Sequence, residues 1–216
     1  MALRILVVDD HAVVRRGVRS LLESHEGWEV CGEATTGREA VDESRRLRPD
    51  VVVMDLSLPE LNGLDATRQI LKDRPDTEVL VLTMHTSEEL ARDVLQAGAR
   101  GYVLKADADE NLIAAVDSLR QHKPFLTSTV TAIVLDDYIR RGDDGPDEFA
   151  ASAVTARERE IMQLLAEGQS NKQAAATLGI SVKTIEAHRA NMMRKLHLRS
   201  VSDLVRYAIR NKIVEP

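Results

Sequence analysis

The stretch Val51-Val52-Val53-Met54-Asp55 runs from four apolar residues directly into a carboxylate. An uninterrupted apolar run of this length is typical of a strand that is buried on both faces, as in a parallel sheet. In open α/β sheets, ligands bind just beyond the carboxyl ends of the strands. The stretch therefore predicts a buried strand with Asp55 at a ligand-binding edge. The alternative interpretation is an Asp that only closes the turn after the strand.

Similar apolar runs recur before and after this stretch, and helical spacing of apolar residues separates them. The strong runs lie at Ile5–Val8, Val79–Leu82 and Tyr102–Leu104, and a weaker, alternating run lies near Glu29–Ala34. Strand and helix thus alternate five times by about residue 122. This alternation predicts an α/β fold built of βαβ units on a parallel sheet.

Polar side chains follow each of the strong runs. The first run ends in Asp9 and Asp10, the run at 51–54 ends in Asp55, and the last two end in Thr83 and Lys105. Because the carboxyl ends of parallel strands meet at one edge of a sheet, we expect these side chains to lie together. Three neighbouring carboxylates repel one another, and a hard divalent cation such as Mg²⁺ relieves that repulsion. A carboxylate beside the cation can then attack a phosphoryl group.

The composition of the chain indicates the cellular compartment of the protein. The chain has 216 residues, 44% hydrophobic and 30% charged, and a single cysteine, so an intrachain disulfide is excluded. No apolar run approaches the roughly 20 residues that a membrane helix needs. The apolar residues near the N-terminus are too few for a secretion signal. The sequence predicts a cytoplasmic protein with no membrane partner.

Charge is distributed unevenly along the chain. From Thr155 onward eleven Lys and Arg face six Asp and Glu, a net charge of +5, which leaves −11 for the rest of a chain whose total is −6. An acidic N-terminal part followed by a basic C-terminal part indicates two modules with different partners. The partner of the basic module is expected to be a polyanion.

Five motifs of the first module, residues 1–122, stand out: Val7-Val8-Asp9-Asp10, Met54-Asp55-Leu56-Ser57-Leu58-Pro59, Asn62-Gly63, Leu82-Thr83 and Gly101-Tyr102-Val103-Leu104-Lys105. By these motifs the module resembles the receiver domain of response regulators. The resemblance implies a flavodoxin-like (βα)5 fold with strand order 2-1-3-4-5. It also implies that Asp55 accepts a phosphoryl group from a sensor histidine kinase.

The same resemblance assigns the metal ligands and the switch residues. Asp10 and Asp55 would bind Mg²⁺ directly, Asp9 largely through water, and Ser57 through its backbone carbonyl. Thr83 and Lys105 would sense the phosphoryl group, and Tyr102 would be the aromatic switch residue whose ring turns inward when Thr83 moves.

Residues 123–153 are predicted to be a linker that is partly helical, over Thr127 to Arg141, and then a flexible acidic tether. Beyond it, Thr155 with Glu158 and Ser170 with Gln173 fit the capping box that begins a helix. The spacing predicts helices near 156–167, 171–178, 182–196 and 200–211. A short turn containing Gly179 joins the second to the third, which is helix-turn-helix spacing.

The third of these helices has two faces of different character. Val182, Ile185, Met192 and Leu196 are predicted to pack inward, and Lys183, Ala187, Ala190 and Arg194 lie opposite, flanked by Glu186 and Asn191. The side chains of the two alanines are short, so this face of the helix can approach the major groove of DNA closely. A solvated helix face is the alternative.

Residues 154–216 resemble the LuxR-type DNA-binding domain, and the two modules together resemble the NarL/FixJ subgroup of response regulators. The resemblance implies a transcription factor, not an enzyme, that binds double-stranded DNA and forms a homodimer on activation. The resemblance to the LuxR-type domain also implies that Glu186, Ala187 and Ala190 face the edges of the DNA bases. The other predicted DNA-binding residues serve phosphates or hold the helix, and they are Lys172, Lys183, Thr184, His188, Arg189, Asn191, Arg194 and Lys195.

Two other functions compete with this interpretation. An aspartyl-nucleophile phosphatase would carry a second Asp two residues after the nucleophile, and Ser57 stands there instead. A regulator that is controlled by dimerisation alone would not need the acidic site at all.

Overall fold

The computed structural model describes residues 2–85, 87–127, 130–132, 154–211 and 213–214. These residues form two compact units, one ahead of the predicted tether and one after it.

The first unit alternates strands and helices. Its elements are β1 Leu3–Val8, α1 Ala12–Glu23, β2 Trp28–Ala34, α2 Gly37–Leu47, β3 Val51–Met54, α3 Gly63–Asp73, β4 Glu78–Thr83, α4 Glu88–Gln96, β5 Gly101–Leu104, a 3₁₀ turn Lys105–Asp107, α5 Ala108–Arg120 and β6 Phe125–Leu126. The strands form one sheet in the order β2-β1-β3-β4-β5-β6, with every neighbouring pair parallel. The predicted α/β class and the order of the first five strands are confirmed.

A sixth strand extends the predicted sheet. In β6, Phe125 pairs with Gly101 and Leu126 with Tyr102, so the segment just after residue 122 belongs to the sheet although it was assigned to the linker. Two residues are too few to show a periodic pattern, which is why the sequence did not indicate this strand. Most of the helix predicted from Thr127 to Arg141, and all of the acidic tether, lie outside the described residues.

The core of the first unit explains the apolar runs. All four residues of β3 are at most 2% exposed, which confirms a strand buried on both faces. On one face of the sheet, side chains of β1, β3, β4 and β5 pack with residues of α1 and α5, among them Leu22, Leu112 and Leu119. Burying one such side chain contributes about 1.5–3 kcal/mol, so this layer holds the strand ends, and the polar residues that follow them, in place.

The second unit consists of helices in its described part. They are α6 Ala156–Ala166, α7 Asn171–Leu178, α8 Val182–Lys195 and α9 Val201–Arg210. Both predicted capping boxes are formed, by Thr155 with Glu158 and by Ser170 with Gln173. Gly179 follows α7 in the left-handed conformation, with φ of 62°, which favours glycine.

Of the four residues of α8 and its C-cap that were predicted to pack inward, all but one do so. Ile185 and Met192 are fully buried in the core of the second unit, and Leu196 packs against it. Val182 was predicted to pack inward, which is wrong: it is 39% exposed. It is the first residue of the helix and follows the N-cap Ser181, so the core reaches this end of α8 only at Ile185.

Candidate functional site

The predicted acidic residues meet at the carboxyl edge of the sheet. Val8 of β1 is paired with Met54 of β3, and the Asp55 N–H donates to the Val8 carbonyl at 2.9 Å, so the residues after both strands are neighbours. One ligand atom from each of Asp9, Asp10, His11 and Asp55 lies within 4.8 Å of the others. These four residues are called the acidic cluster below.

Lys105 closes the acidic cluster from the end of β5. Its Nζ lies 2.7 Å from Asp9 Oδ2 and 2.8 Å from Asp55 Oδ2, and its side chain is only 11% exposed. The other carboxylate oxygen of Asp55 accepts a hydrogen bond from the Leu56 N–H at 2.8 Å. Asp9 and Asp55 are each 3% exposed, whereas the side chain of Asp10 is 36% exposed.

Burial and charge act against each other in this pocket. Burial raises the pKa of Asp55, although the hydrogen bond and charge of Lys105 lower it, and the charge of Asp9 adds to the rise. Burial lowers the pKa of Lys105, but its hydrogen bonds to Asp55 and Asp9 outweigh burial and raise that pKa. Lys105 is therefore an ammonium at neutral pH, and it faces a site with three carboxyl groups. Carboxylate oxygens in excess are the donor set that Mg²⁺ prefers, so these residues fit that ion.

Thr83 and Tyr102 are linked through the backbone of His85, a residue for which the sequence predicted no catalytic role. The Thr83 hydroxyl accepts a hydrogen bond from the His85 N–H at 3.2 Å, and the Tyr102 hydroxyl donates to the His85 carbonyl at 2.7 Å. Tyr102 is fully buried, so its ring points inward, and burial raises the pKa of Tyr102 to about 12. Because His85 acts through its main chain, its side-chain identity carried no signal of this role.

Ser57 and Gly63 shape the chain after β3. The Ser57 hydroxyl lies 3.5 Å from Nε2 of His85. A Cβ on Gly63 would lie 1.9 Å from the carbonyl oxygen of Asp55, so the backbone passes too close to Asp55 for any side chain. The Gly63 N–H also donates to the Leu56 carbonyl at 2.9 Å. These contacts hold the backbone of Asp55 in place.

Two further residues contact the acids of the site, although no role was predicted for either. Arg15 of α1 donates from Nη1 to the Asp9 carbonyl at 2.8 Å and from Nε to Glu33 at 3.2 Å. His11 Nδ1 lies 2.6 Å from Asp10 Oδ1. His11 follows the two acids directly in the sequence, which already places it beside the site.

In the second unit, α8 presents the predicted outward face. The exposed residues at helical spacing, called the outward stripe below, are Lys183, Glu186, Ala187, Ala190, Asn191 and Arg194. Lys172 in the first turn of α7 is also exposed, whereas Thr184, His188 and Arg189 are half-buried. The Thr184 hydroxyl contacts the Ser181 hydroxyl at 2.8 Å, at the N-terminus of α8.

Lys195 differs from the outward stripe because it is held within its own unit. Its Nζ lies 2.9 Å from both carboxylate oxygens of Glu158, whose side chain is 4% exposed. Burial raises the pKa of Glu158, but hydrogen bonds from the Thr155 N–H, from Lys195 and from the Thr155 hydroxyl outweigh it, and the net shift is downward. Lys195 thus ties α8 to the start of α6.

None of the helices in the described parts of the chain combines the length and the apolar composition that crossing a membrane requires.

Comparison with known proteins places both units. Residues 5–117 match the response regulator receiver domain, and residues 152–208 match the bacterial regulatory proteins of the luxR family. The oxygen regulatory protein NreC of Staphylococcus epidermidis is 40% identical over 219 residues, which cover 99% of this chain and all of NreC.

Solved structures of the response regulator RcsB are also similar. A complex of RcsB with DNA has 27% sequence identity and a TM-score of 0.60, and the match covers 96% of this chain and 98% of RcsB. RcsB from Salmonella enterica serovar Typhimurium, bound to the promoter rprA in the presence of the phosphomimetic BeF₃⁻, has 27% identity and a TM-score of 0.59, with coverage of 95% and 97%.

These matches exclude the phosphatase alternative, because the members of this family are transcriptional regulators and not enzymes. With its acidic cluster in a receiver domain and its outward stripe in a LuxR-type helix-turn-helix domain, the chain belongs to the NarL/FixJ-type two-component response regulators, which bind DNA.

Proposed function

We propose that a sensor histidine kinase transfers a phosphoryl group to Asp55, and that phosphorylation promotes homodimerisation and DNA binding in the cytoplasm. The observation that carries this proposal is the buried Asp55 carboxylate, held by Lys105 at 2.8 Å beside Asp9 and Asp10. Residues 1–122 would be the phospho-acceptor domain, 123–153 the linker and 154–216 the DNA-binding domain.

The transfer itself needs positioning and charge neutralisation more than covalent help from other groups. A carboxylate oxygen of Asp55 forms the new bond to phosphorus while the bond from phosphorus to the kinase imidazole breaks. Asp10 and Asp55 would hold Mg²⁺ directly, Asp9 largely through water and Ser57 through its backbone carbonyl. The ion supplies positive charge that neutralises the phosphoryl oxygens.

Lys105 and Thr83 would register the new phosphoryl group. Lys105 loses a carboxylate partner when Asp55 is modified, and its ammonium can pair with a phosphoryl oxygen instead. The Thr83 hydroxyl accepts from the His85 N–H, which leaves its own O–H to donate to a phosphoryl oxygen. Because the Tyr102 hydroxyl is bonded to the His85 carbonyl, a shift of Thr83 and His85 is passed to Tyr102.

In the second domain, α8 would enter the major groove with the outward stripe toward the DNA. Glu186, Ala187 and Ala190 would face base edges. Two alanines offer no hydrogen bonds, so much of the affinity must come from phosphate contacts by residues such as Lys172 and Lys183 and from dimerisation. Such binding is strongly salt-dependent.

The experiment exposes the untagged protein to a small-molecule phosphodonor with Mg²⁺ and follows the adduct by intact mass spectrometry. We expect one phosphoryl adduct in the wild type and none in Asp55→Asn. Asp42→Asn is the matched control, because Asp42 is an exposed acid on α2 that pairs with Arg45, and it should keep the adduct. An adduct that survives Asp55→Asn would contradict the proposed acceptor.

The same samples test the consequence of phosphorylation. Sedimentation and DNA-binding assays on a duplex chosen by binding-site selection should show more dimer and tighter binding when the adduct is present. Equal dimerisation and equal DNA affinity with and without the adduct would favour the regulator that is controlled by dimerisation alone.

A further inference from the structure

We propose that His11 is a ligand of the metal ion at the acidic cluster, and that its imidazole makes this site favour later transition-metal divalent cations such as Ni²⁺ over Mg²⁺. This inference rests on the proposed function, since it concerns the cation that the same carboxylates would hold.

The position of the imidazole is the first argument. His11 Nδ1 lies 2.6 Å from Asp10 Oδ1 and 3.5 Å from Asp9 Oδ1. Opposite ligands of a small divalent cation stand about 4 Å apart, because each bond is about 2.0–2.1 Å long. The ligand atoms of the acidic cluster all lie within 4.8 Å of one another, which is close to that span. The imidazole nitrogen therefore needs only a small movement to share a cation with the carboxylates.

The local structure around His11 is the second argument. His11 is the N-cap residue of α1, a position that favours Ser, Thr, Asp or Asn, whose side chains cap the first turn. The His11 side chain makes no such hydrogen bond. Its backbone N–H instead donates to Asp9 Oδ1 at 2.8 Å, and its ring turns to Asp10. The ring is thus directed at the carboxylates and not at the helix that it precedes.

Access to the site is the third argument. The side chain of His11 is 67% exposed and that of Asp10 is 36% exposed, whereas Asp9 and Asp55 are buried. Two carboxylates of the cluster are therefore buried, and His11 lies on the side of the cluster that is open to solvent. A cation can enter from solvent and take His11 as its last protein ligand without any change in the core.

The chemical nature of the ligand atoms decides which cations bind more tightly when His11 is a ligand. Mg²⁺ takes oxygen ligands and retains several waters, so an imidazole adds little to its binding. The affinity of a given site with nitrogen and oxygen donors rises along the series Mn²⁺, Co²⁺, Ni²⁺, and imidazole suits Ni²⁺ in particular. A neutral imidazole adds a donor without changing the charge of the cluster. His11 should therefore change the selectivity of the site among divalent cations and leave its affinity for Mg²⁺ nearly unchanged.

The test uses untagged full-length protein and two readouts that do not depend on phosphorylation. Calorimetric titration compares Mg²⁺ with Ni²⁺, and pulsed electron paramagnetic resonance of bound Mn²⁺ detects a nitrogen nucleus in direct coordination. The variant is His11→Gln. His85→Gln is the matched control, because its imidazole is the other one close to the site, and Asp10→Asn shows that the signal comes from this cluster.

We expect nitrogen coupling to Mn²⁺ in the wild type and in His85→Gln, and none in His11→Gln. The Ni²⁺ affinity of His11→Gln should fall at least about tenfold, the lower end of the effects seen when metal-site partners are removed. Its Mg²⁺ affinity should change by less than about threefold, because an oxygen-seeking ion gains little from imidazole. Asp10→Asn should lose most binding of both ions.

Mn²⁺ bound without nitrogen coupling in the wild type would overturn the inference, and so would coupling that disappears in His85→Gln and persists in His11→Gln. Those results leave the proposed function intact. A wild-type protein that binds neither Mg²⁺ nor Mn²⁺ would overturn both the inference and the metal-dependent part of the proposed function.

Discussion

The acidic cluster of the first unit and the outward stripe of the second are built in opposite ways. The cluster joins residues from two distant parts of the chain, 9–11 and 55, and Lys105 from a third part pairs with its two central carboxylates, which are 3% exposed. The stripe comes from successive turns of one helix and lies in solvent. The cluster therefore depends on the fold around it, and removing the charge that pairs with its buried carboxylates should cost stability, whereas a change in the stripe should alter binding alone.

The largest effect is expected where a charge in the cluster loses its partner. Lys105→Met leaves Asp9 and Asp55 without the ammonium that lies 2.7 Å and 2.8 Å from them. Removing one partner of a buried ion pair costs about 3 kcal/mol or more, so the free energy of unfolding of the first unit should fall by about that much without metal. Added Mg²⁺ should restore part of the loss, because it replaces the missing positive charge.

Fluorescence of Trp28, the only tryptophan of the chain, reports on the first unit during urea unfolding. Asp10→Asn is the control, since it removes a half-exposed carboxylate and lowers the repulsion in the cluster. It should not destabilise the unit. Equal losses in Lys105→Met and Asp10→Asn would contradict the account of the Lys105 ion pairs.

A smaller effect is expected from a methyl group placed beside Asp55. In Gly63→Ala the new Cβ would lie 1.9 Å from the Asp55 carbonyl oxygen, so the backbone must move, at a cost of about 2 kcal/mol. Gly17→Ala is the matched control, because a Cβ there meets nothing within 4 Å and Ala is preferred inside a helix by about 0.5–1 kcal/mol.

Urea unfolding followed by Trp28 fluorescence should give opposite signs for the two glycine variants. The Gly63 variant should also form the phosphoryl adduct more slowly, since its Asp55 is displaced. The close approach would be refuted by a Gly63→Ala protein as stable as the Gly17→Ala protein.

The smallest effect on stability is expected at the outward stripe. Lys183→Ala should leave the melting of the second unit unchanged within about 0.5 kcal/mol, because Lys183 is an exposed surface residue. It should weaken binding to all duplexes alike and reduce the slope of log affinity against log salt by about one, the effect of losing one phosphate contact.

Lys195→Ala provides the comparison on the same helix. It removes the ion pair with Glu158, a pair that is exposed on one side, and should cost about 1 kcal/mol of stability. Circular dichroism melts and fluorescence anisotropy over a salt series measure both quantities. A Lys183 variant that loses stability while the Lys195 variant keeps it would reverse the distinction between the two lysines.

Particular residues show how far the sequence could predict the structure. The apolar run at 51–54 predicted β3, and the capping boxes at Thr155 and Ser170 predicted the starts of α6 and α7. The misses were β6, which is too short to show a pattern, and Val182, which stands at the end of a helix where the periodic rule has no neighbour on one side.

The sequence by itself determined the local features and the chemistry of the site: where strands and helices form, which helix faces are apolar, and which polar groups end the strands. Hydrophobic periodicity and capping act over a few residues, so they can be deduced from the order of residues alone. Only the tertiary structure decided which atoms meet. The pairing of Lys105 with Asp9 and Asp55, and the bond from Tyr102 to the His85 carbonyl, depend on the register between strands that are far apart along the chain. That register follows from packing the whole sheet, so no single stretch of sequence contains it.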